Sequence, residues 1–212
     1  MYNLSQFTET DQSRVIDFMH AHPFALLCGA DAAGQPVATQ IPVFIDRRGD
    51  KVVLSGHMMR KTDHHLAFES NPKALAVFTG AHTYVSASWY EDKQSASTWN
   101  YMSVHAVGRL RFLGHDELLQ VLKRTTDHYE NNPYSGANFD DIPMADIEKM
   151  SKAIIAFEME VETLKNVFKL SQNKDEKTYS TVVAKLAEQP GDSEIIAHEM
   201  MKRSDELFGD KA

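Results

Sequence analysis

FALLCGA (Phe24–Ala30), DAAGQ (31–35), PVATQIPVFI (Pro36–Ile45), DRRGD (46–50) and KVVLSG (Lys51–Gly56) form the stretch that decides the fold. Three apolar, partly β-branched runs are separated by Gly- and Asp-bearing connectors of hairpin length, the pattern of an antiparallel meander. Upstream, Thr10 to His20 places Val15, Ile16 and Met19 on one helical face, with Thr8 or Thr10 as cap and Pro23 as stop. Downstream, MRKTDHHLAFESNP (59–72) predicts a short helix capped by Thr62 or Asp63 and ended by Asn71-Pro72. Strand texture resumes in KALAVFTG (73–80) and HTYVSASWY (82–90), and returns in TWNYMSVHAVGRLRFLG (98–114).

Helical patterns follow over Asp116 to Tyr129 and Met144 to Lys152, joined by the loop NNPYSGANFDD (131–141), which is too hydrophilic for core. A last strand, AIIAFEMEVETLKNVFKLS (153–171), sets Phe157, Met159 and Val161 against Glu158, Glu160 and Glu162 on the opposite face. The tail predicts helices over Asp175–Ala187 and Ser193–Leu207, around Gln189-Pro190-Gly191. About six or seven strands with helices at both ends specify a mainly β protein with α decoration, a small closed or split barrel. A Rossmann sheet needs alternating strands and helices, which this order lacks. The expected organisation is a barrel domain over residues 1–173 with a helical extension over 174–212, packed on the barrel or on its dimer mate.

Acidic residues number 30 against 22 Lys plus Arg, a formal charge of -8, which disfavours a protein that wraps phosphate backbones. Cys28 is the only cysteine, so an intrachain disulfide, a Cys-based zinc site and an Fe–S cluster are excluded. The N-terminus carries acids where a signal peptide has an apolar stretch, and no apolar run spans a bilayer, so a cytoplasmic location is expected, with no membrane and no metal. There is no GxGxxG and no phosphate-binding GxxxxGK[ST].

Three features bear on chemistry. In SGHMMRKTD (55–63), Arg60, Lys61 and Thr62 sit between a strand end and a helix start, where free N–H groups and the helix dipole favour an anion. The same residues also suit a solvated Arg-Lys pair beside a plain N-cap. In Tyr84 to His105, Trp89, Trp99 and three tyrosines accompany Ser88, Thr98 and Asn100, a mixture that can cover a planar ring and meet its polar edge, or form core or subunit interface. Lys169-Leu170-Ser171-Gln172-Asn173 closes the last strand as a polar cluster for a ligand or a turn. His57 and His105 are general acid or base candidates by residue type only, and the catalytic residues are not legible.

YVSASWY (Tyr84–Tyr90), TWNY (Thr98–Tyr101) with Val104-His105, and FKLSQN (Phe168–Asn173) carry a resemblance. Met1-Tyr2, Ala38-Thr39-Gln40-Ile41-Pro42, Ser55-Gly56-His57 and Phe78-Thr79-Gly80 precede them in the same order. The series resembles the PaiB-type family of FMN-binding negative transcriptional regulators. The resemblance implies an FMN-binding split β-barrel, related to pyridoxamine-phosphate-oxidase-like flavoproteins, that works as a homodimer with flavin sites at the subunit interface. It implies that Arg60, Lys61 and Thr62 stand where such barrels hold the FMN phosphate. It places Thr39, Gln40 and Ile41 on the strand that lines the flavin, and Trp89, Trp99 and Asn100 near it. The chain departs from the family pattern at Gln40, where a histidine is usual, at Ala87, where a proline is usual, and at Ala96-Ser97, where Val-Pro is usual. The family name implies negative regulation of transcription. No helix-turn-helix is visible, and the tail carries Asp175, Glu176, Glu188, Asp192, Glu194, Glu199, Asp205 and Glu206, so direct DNA binding is not expected and regulation would be indirect. The alternatives are a flavin-dependent oxidoreductase with a small-molecule substrate and a ligandless interaction module.

Overall fold

The fold follows from a computed structural model that describes residues 2, 4–92 and 94–209; Met1 of the Met1-Tyr2 block lies outside the described residues. Along the chain run α1 (Gln12–Ala21), β1 (Phe24–Ala30), β2 (Pro36–Pro42), β3 (Phe44–Arg48), β4 (Lys51–Met59), α2 (Asp63–Ser70), β5 (Lys73–Val85) and β6 (Thr98–Phe112). Then come α3 (His115–Glu130), α4 (Met144–Ser151), β7 (Ile154–Lys169), α5 (Glu176–Ala187) and α6 (Asp192–Phe208). The strands form one sheet in the order β2-β1-β5-β6-β7-β4-β3.

That order requires curling. β2 and β3 are the two edges of the sheet, yet only Val43 separates them. In a flat sheet six steps of about 4.8 Å would hold the edges about 29 Å apart, whereas two residues of chain reach about 7 Å. The sheet therefore closes toward itself as a half-barrel. The antiparallel registers agree with it: β1 pairs with β2 and β5, while β4 pairs with β3 and β7.

The meander forms with one correction. PVATQIPVFI, a continuous apolar run, is two strands, because Pro42 ends pairing with β1 and Val43 donates its N–H to the Pro23 carbonyl instead, at 2.9 Å. Phe44 then starts a new ladder with Ser55. Gly80 does not interrupt β5, which runs unbroken through it. The helix α1 starts two residues later than Thr10, and its cap is Asp11, whose carboxylate accepts from the Ser13 N–H at 2.8 Å, in place of Thr8 or Thr10. The loop 131–141 is not wholly solvated either: Phe139 is buried under the Lys123 ammonium.

The chain divides into two compact units. One holds Met19–Phe78 and His105–Leu164, and the other Met1–Phe18, Thr79–Val104 and Lys165–Ala212. The first contains parts of all seven strands and a core of Leu27, Leu54, Phe68, Phe78, Phe157 and Met159. Its β7 alternates as the sequence predicts, with Phe157 and Met159 inward and Glu158 outward, where Arg48 and Arg111 hold it. In the second, α5 and α6 pack as a hairpin turned at Gly191 (φ +77°), and Tyr179 donates to the Met200 carbonyl at 2.8 Å. The C-terminal helices thus share a unit with the far ends of β5, β6 and β7.

Candidate functional site

The cationic turn between β4 and α2 is set by the sheet. Arg60 adds one rung beyond the β4–β7 ladder, its N–H reaching the Ala153 carbonyl at 2.9 Å. Its Nε donates to the Ile154 carbonyl at 2.8 Å. The guanidinium is thereby fixed at one edge, and its terminal amino groups have no partner among the described residues. Lys61 is exposed and holds a left-handed backbone (φ +63°), a conformation that strains a residue other than glycine. Neither cation has a carboxylate partner among the described residues. Thr62 caps α2: its hydroxyl accepts from the His65 N–H at 3.4 Å and donates to the Met59 carbonyl at 3.0 Å, with His64 Nε2 also at 3.0 Å. Its hydroxyl is thus committed to the cap, and the two cations supply the charge. Asp63, 78% exposed, opens the helix and is paired to His64, and the His64 N–H and side-chain hydrogen bonds hold its carboxyl below the usual range.

β2 lies in the same unit, and α2 packs against both β1 and β2. Register separates the three residues expected there. Thr39 stands opposite Leu27 and Ile41 opposite Ala25, on the face that carries the core; Gln40 stands opposite Leu26 on the outer face. One ligand surface can therefore meet Thr39 with Ile41, or Gln40, because strand side chains alternate. His57 in β4 and His105 in β6 are half-buried, and burial holds both imidazoles below the usual histidine value.

Trp89, Trp99 and Asn100 belong to the other unit. Trp89 ends a 3-10 turn over Ala87–Trp89 that Ser86 caps through the Ser88 N–H. Here Ser97, one of the departures from the family pattern, is structural, since its hydroxyl accepts from the Ala87 N–H at 2.9 Å. Trp99 is 52% exposed, with His82 and Tyr84 each at a ring separation of 6.0 Å, so three aromatic side chains share an open face. Asn100, the next residue in the strand, faces the opposite way and is fully buried. Its Nδ2 donates to Ser171 Oγ at 2.9 Å and lies 3.6 Å from Met200 Sδ, so its amide is spent inside the unit and does not present a ligand edge.

Lys169 is the residue whose role sequence reasoning passed over. It is 8% exposed, and burial holds its ammonium below the usual lysine value. It donates to the Trp99 carbonyl at 2.7 Å and to Thr98 Oγ1, with the Tyr2 and Phe7 rings within 6 Å. The segment after it is a turn, with Ser171 left-handed at φ +62° and the Lys174 N–H returning to the Ser171 carbonyl. A signal existed: Lys169 sits between Phe168 and Leu170 at a strand end whose neighbours are all buried.

A curled seven-stranded half-barrel with a cationic strand-to-helix turn defines the split-barrel class of flavin-binding folds. Residues 1–163 match a family described as "Putative FMN-binding domain", and the chain belongs to that family, whose cofactor is FMN. The chain is 30% identical over 186 residues to "Protease synthase and sporulation protein PAI 2" of Bacillus subtilis, covering 88% of this chain and 89% of the relative. Among solved structures, the fold matches the FAD and heme binding protein from Mycobacterium smegmatis with a TM-score of 0.54 and 19% identity, over 76% of this chain and 73% of that one. It also matches the flavocytochrome Anf3 from Azotobacter vinelandii with a TM-score of 0.54 and 18% identity, over 79% of this chain and 72% of that one. Among the described residues no helix is long and apolar enough to cross a membrane. The donor set fits FMN at one end: Arg60 and Lys61 are two exposed, uncompensated cations at the positive end of a helix, which suits a phosphate dianion.

Proposed function

We propose that the protein is a homodimeric flavoprotein that holds the FMN phosphate on Arg60 and Lys61 and acts as an indirect negative regulator of transcription. The observation that carries the phosphate assignment is the pair of cations without carboxylate partners at the start of α2. Thr62 contributes by shaping the turn, and of the three β2 residues Gln40, exposed on the outer face beside Leu26, is the one assigned to the flavin side, with Thr39 and the buried Ile41 behind it on the core face. Trp89 and Trp99 are assigned as aromatic walls, and Asn100 as the interior support of Trp99. When bound, FMN supplies redox chemistry, while the protein binds and orients it.

Dimerisation is supported by the outer face of β1, where Phe24 (60% exposed) and Leu26 (38%) flank the edge strand β2. Regulation follows from the relative, whose name refers to protease synthesis and sporulation. Its indirectness is supported by α5 and α6, where Lys177, Lys185, Lys202 and Arg203 are each paired with a carboxylate, on Glu91, Glu188, Glu199 and Glu9. No positive face is left on these helices for a phosphate backbone.

Titration with FMN, with riboflavin as the phosphate-free control, tests the anchor. The expected result is tight FMN binding, loss of about 10- to 100-fold in affinity in the Arg60→Ala/Lys61→Ala double variant, and no change for riboflavin. Unchanged FMN affinity in that variant overturns the phosphate assignment. A sequence-specific, salt-sensitive gel shift with promoter DNA overturns the indirect mode.

A further inference from the structure

Two sequence blocks far apart in the chain, TWN (98–100) and KLS (169–171), meet side by side in the structure. Lys169 Nζ reaches the Trp99 carbonyl at 2.7 Å and Thr98 Oγ1, and two residues on, Ser171 exchanges hydrogen bonds with the Asn100 amide at 2.9 and 3.2 Å. Three successive residues of β6 are thus gripped from behind by one segment, while the Trp99 ring between them stays half exposed beside His82 and Tyr84.

The choice of lysine is the informative part. A buried ammonium with no carboxylate partner among the described residues is an expensive way to tie down a strand end, since burial penalises its charge. A methionine would fill the same space without that penalty. What the ammonium adds is several donors on one atom, directed at a main-chain carbonyl and a hydroxyl of adjacent residues. That combination fixes the backbone of the residue whose side chain faces out. Two aromatic rings, Tyr2 and Phe7, stand within 6 Å of the same ammonium and offset part of its desolvation.

We propose that Lys169 is a positioning residue for flavin binding: with Ser171 holding Asn100, it locks the Thr98–Asn100 segment so that Trp99 is presented as a rigid wall for the isoalloxazine ring. The inference rests on the assignment of Trp99 to the flavin site made above, and its test separates the two.

The chain has two tryptophans, so Trp89→Phe leaves Trp99 as the only indole emitter. In that background, acrylamide quenching of the ligand-free protein reads the freedom of Trp99 directly. Lys169→Met is expected to raise the Trp99 quenching constant about two-fold, Thr98→Val to raise it less, and Lys169→Arg to restore part of the protection. In the chain with Trp89 intact, Lys169→Met is expected to weaken FMN about 10-fold, and Lys169→Met/Trp99→Ala to be no weaker than Trp99→Ala alone, because Lys169 acts through Trp99. A folded Lys169→Met protein with unaltered quenching overturns the positioning role. If that variant does not fold, Thr98→Val, which keeps the charge and removes one acceptor, decides in the same way. Unaltered FMN affinity in Trp99→Ala overturns instead the assignment of Trp99 to the flavin, a failure recognisable because quenching still responds to Lys169.

Discussion

Gly108 of β6 and Glu160 of β7 approach so closely that a Cβ on Gly108 would stand 2.0 Å from the Glu160 carbonyl oxygen. No side chain fits at that crossing, and the obstacle is backbone, which cannot swing aside as a flexible side chain would. Two neighbouring strands come together at this point, within the unit that contains parts of all seven.

Gly108→Ala is therefore expected to destabilise the protein by roughly 2–4 kcal/mol, read as a lower urea midpoint with an unchanged slope. Gly34→Ala is the control. Gly34 has a positive φ (+85°) but open space around it, so only the backbone penalty of about 1 kcal/mol applies. Equal effects of the two substitutions would show that the β6–β7 crossing is not tight.

Lys61 holds a left-handed backbone that strains a residue other than glycine. With φ at +63°, replacement by glycine removes the steric penalty at some cost in chain entropy, for a net gain of about 0.5–1 kcal/mol. The same change removes one of the two cations proposed to hold the FMN phosphate, and FMN affinity is expected to fall about 5- to 10-fold. Thermal unfolding and FMN titration of Lys61→Gly should thus move in opposite directions. A variant that loses stability, or gains stability at full affinity, contradicts this account of the turn.

Thr62 separates capping from ligand contact. Thr62→Ala removes the cap of α2 and is expected to destabilise by about 1 kcal/mol, while Thr62→Asp keeps a capping oxygen and retains most of the stability. Because the carboxylate introduced by Thr62→Asp adds a negative charge beside the cations, that variant is expected to bind FMN more weakly than Thr62→Ala despite being the more stable. Circular dichroism melts alongside FMN titrations check the inversion.

The sequence makes α2 and its cap legible because both are local: Thr62, the helix it starts and Asn71-Pro72 that end it lie within a few turns of chain. The meander was equally legible from its connectors. The break at Pro42 was not, since the apolar run passes through it without a change of texture, and what changes is the partner strand, from β1 to β4. Asn100 shows the same limit in the site. TWNY reads as one aromatic and amide-rich patch, but alternation turns Trp99 outward and Asn100 inward, and the partner that occupies Asn100 lies 71 residues away. Lys169 was hidden for a different reason: lysines are ordinarily exposed, and only tertiary packing buries this one against main-chain acceptors.

Glu158 is one of the carboxyls that shape the acid limb of the stability curve. Its carboxylate, 12% exposed, accepts from Arg48 and from Arg111 at 2.6 Å, and the Arg48 hydrogen bond, ahead of the charge of the two guanidiniums, holds it below the usual glutamate value. A carboxyl whose folded value is depressed binds fewer protons than the unfolded chain across the interval between the two values, so stability rises with pH there. The contribution is complete above the ordinary glutamate range, near pH 4.3, and drains away as pH falls through the lower folded value. Both arginines are more than half exposed, so screening keeps the contribution to about 1 kcal/mol or less. Glu158→Gln is accordingly expected to be slightly less stable at pH 7, to lose less on acidification, and to approach the parent protein at pH 3. Urea unfolding at a series of pH values and at low and high salt measures this; parallel curves for parent and variant would mean that the Arg48–Glu158–Arg111 bridge does not contribute to the fold.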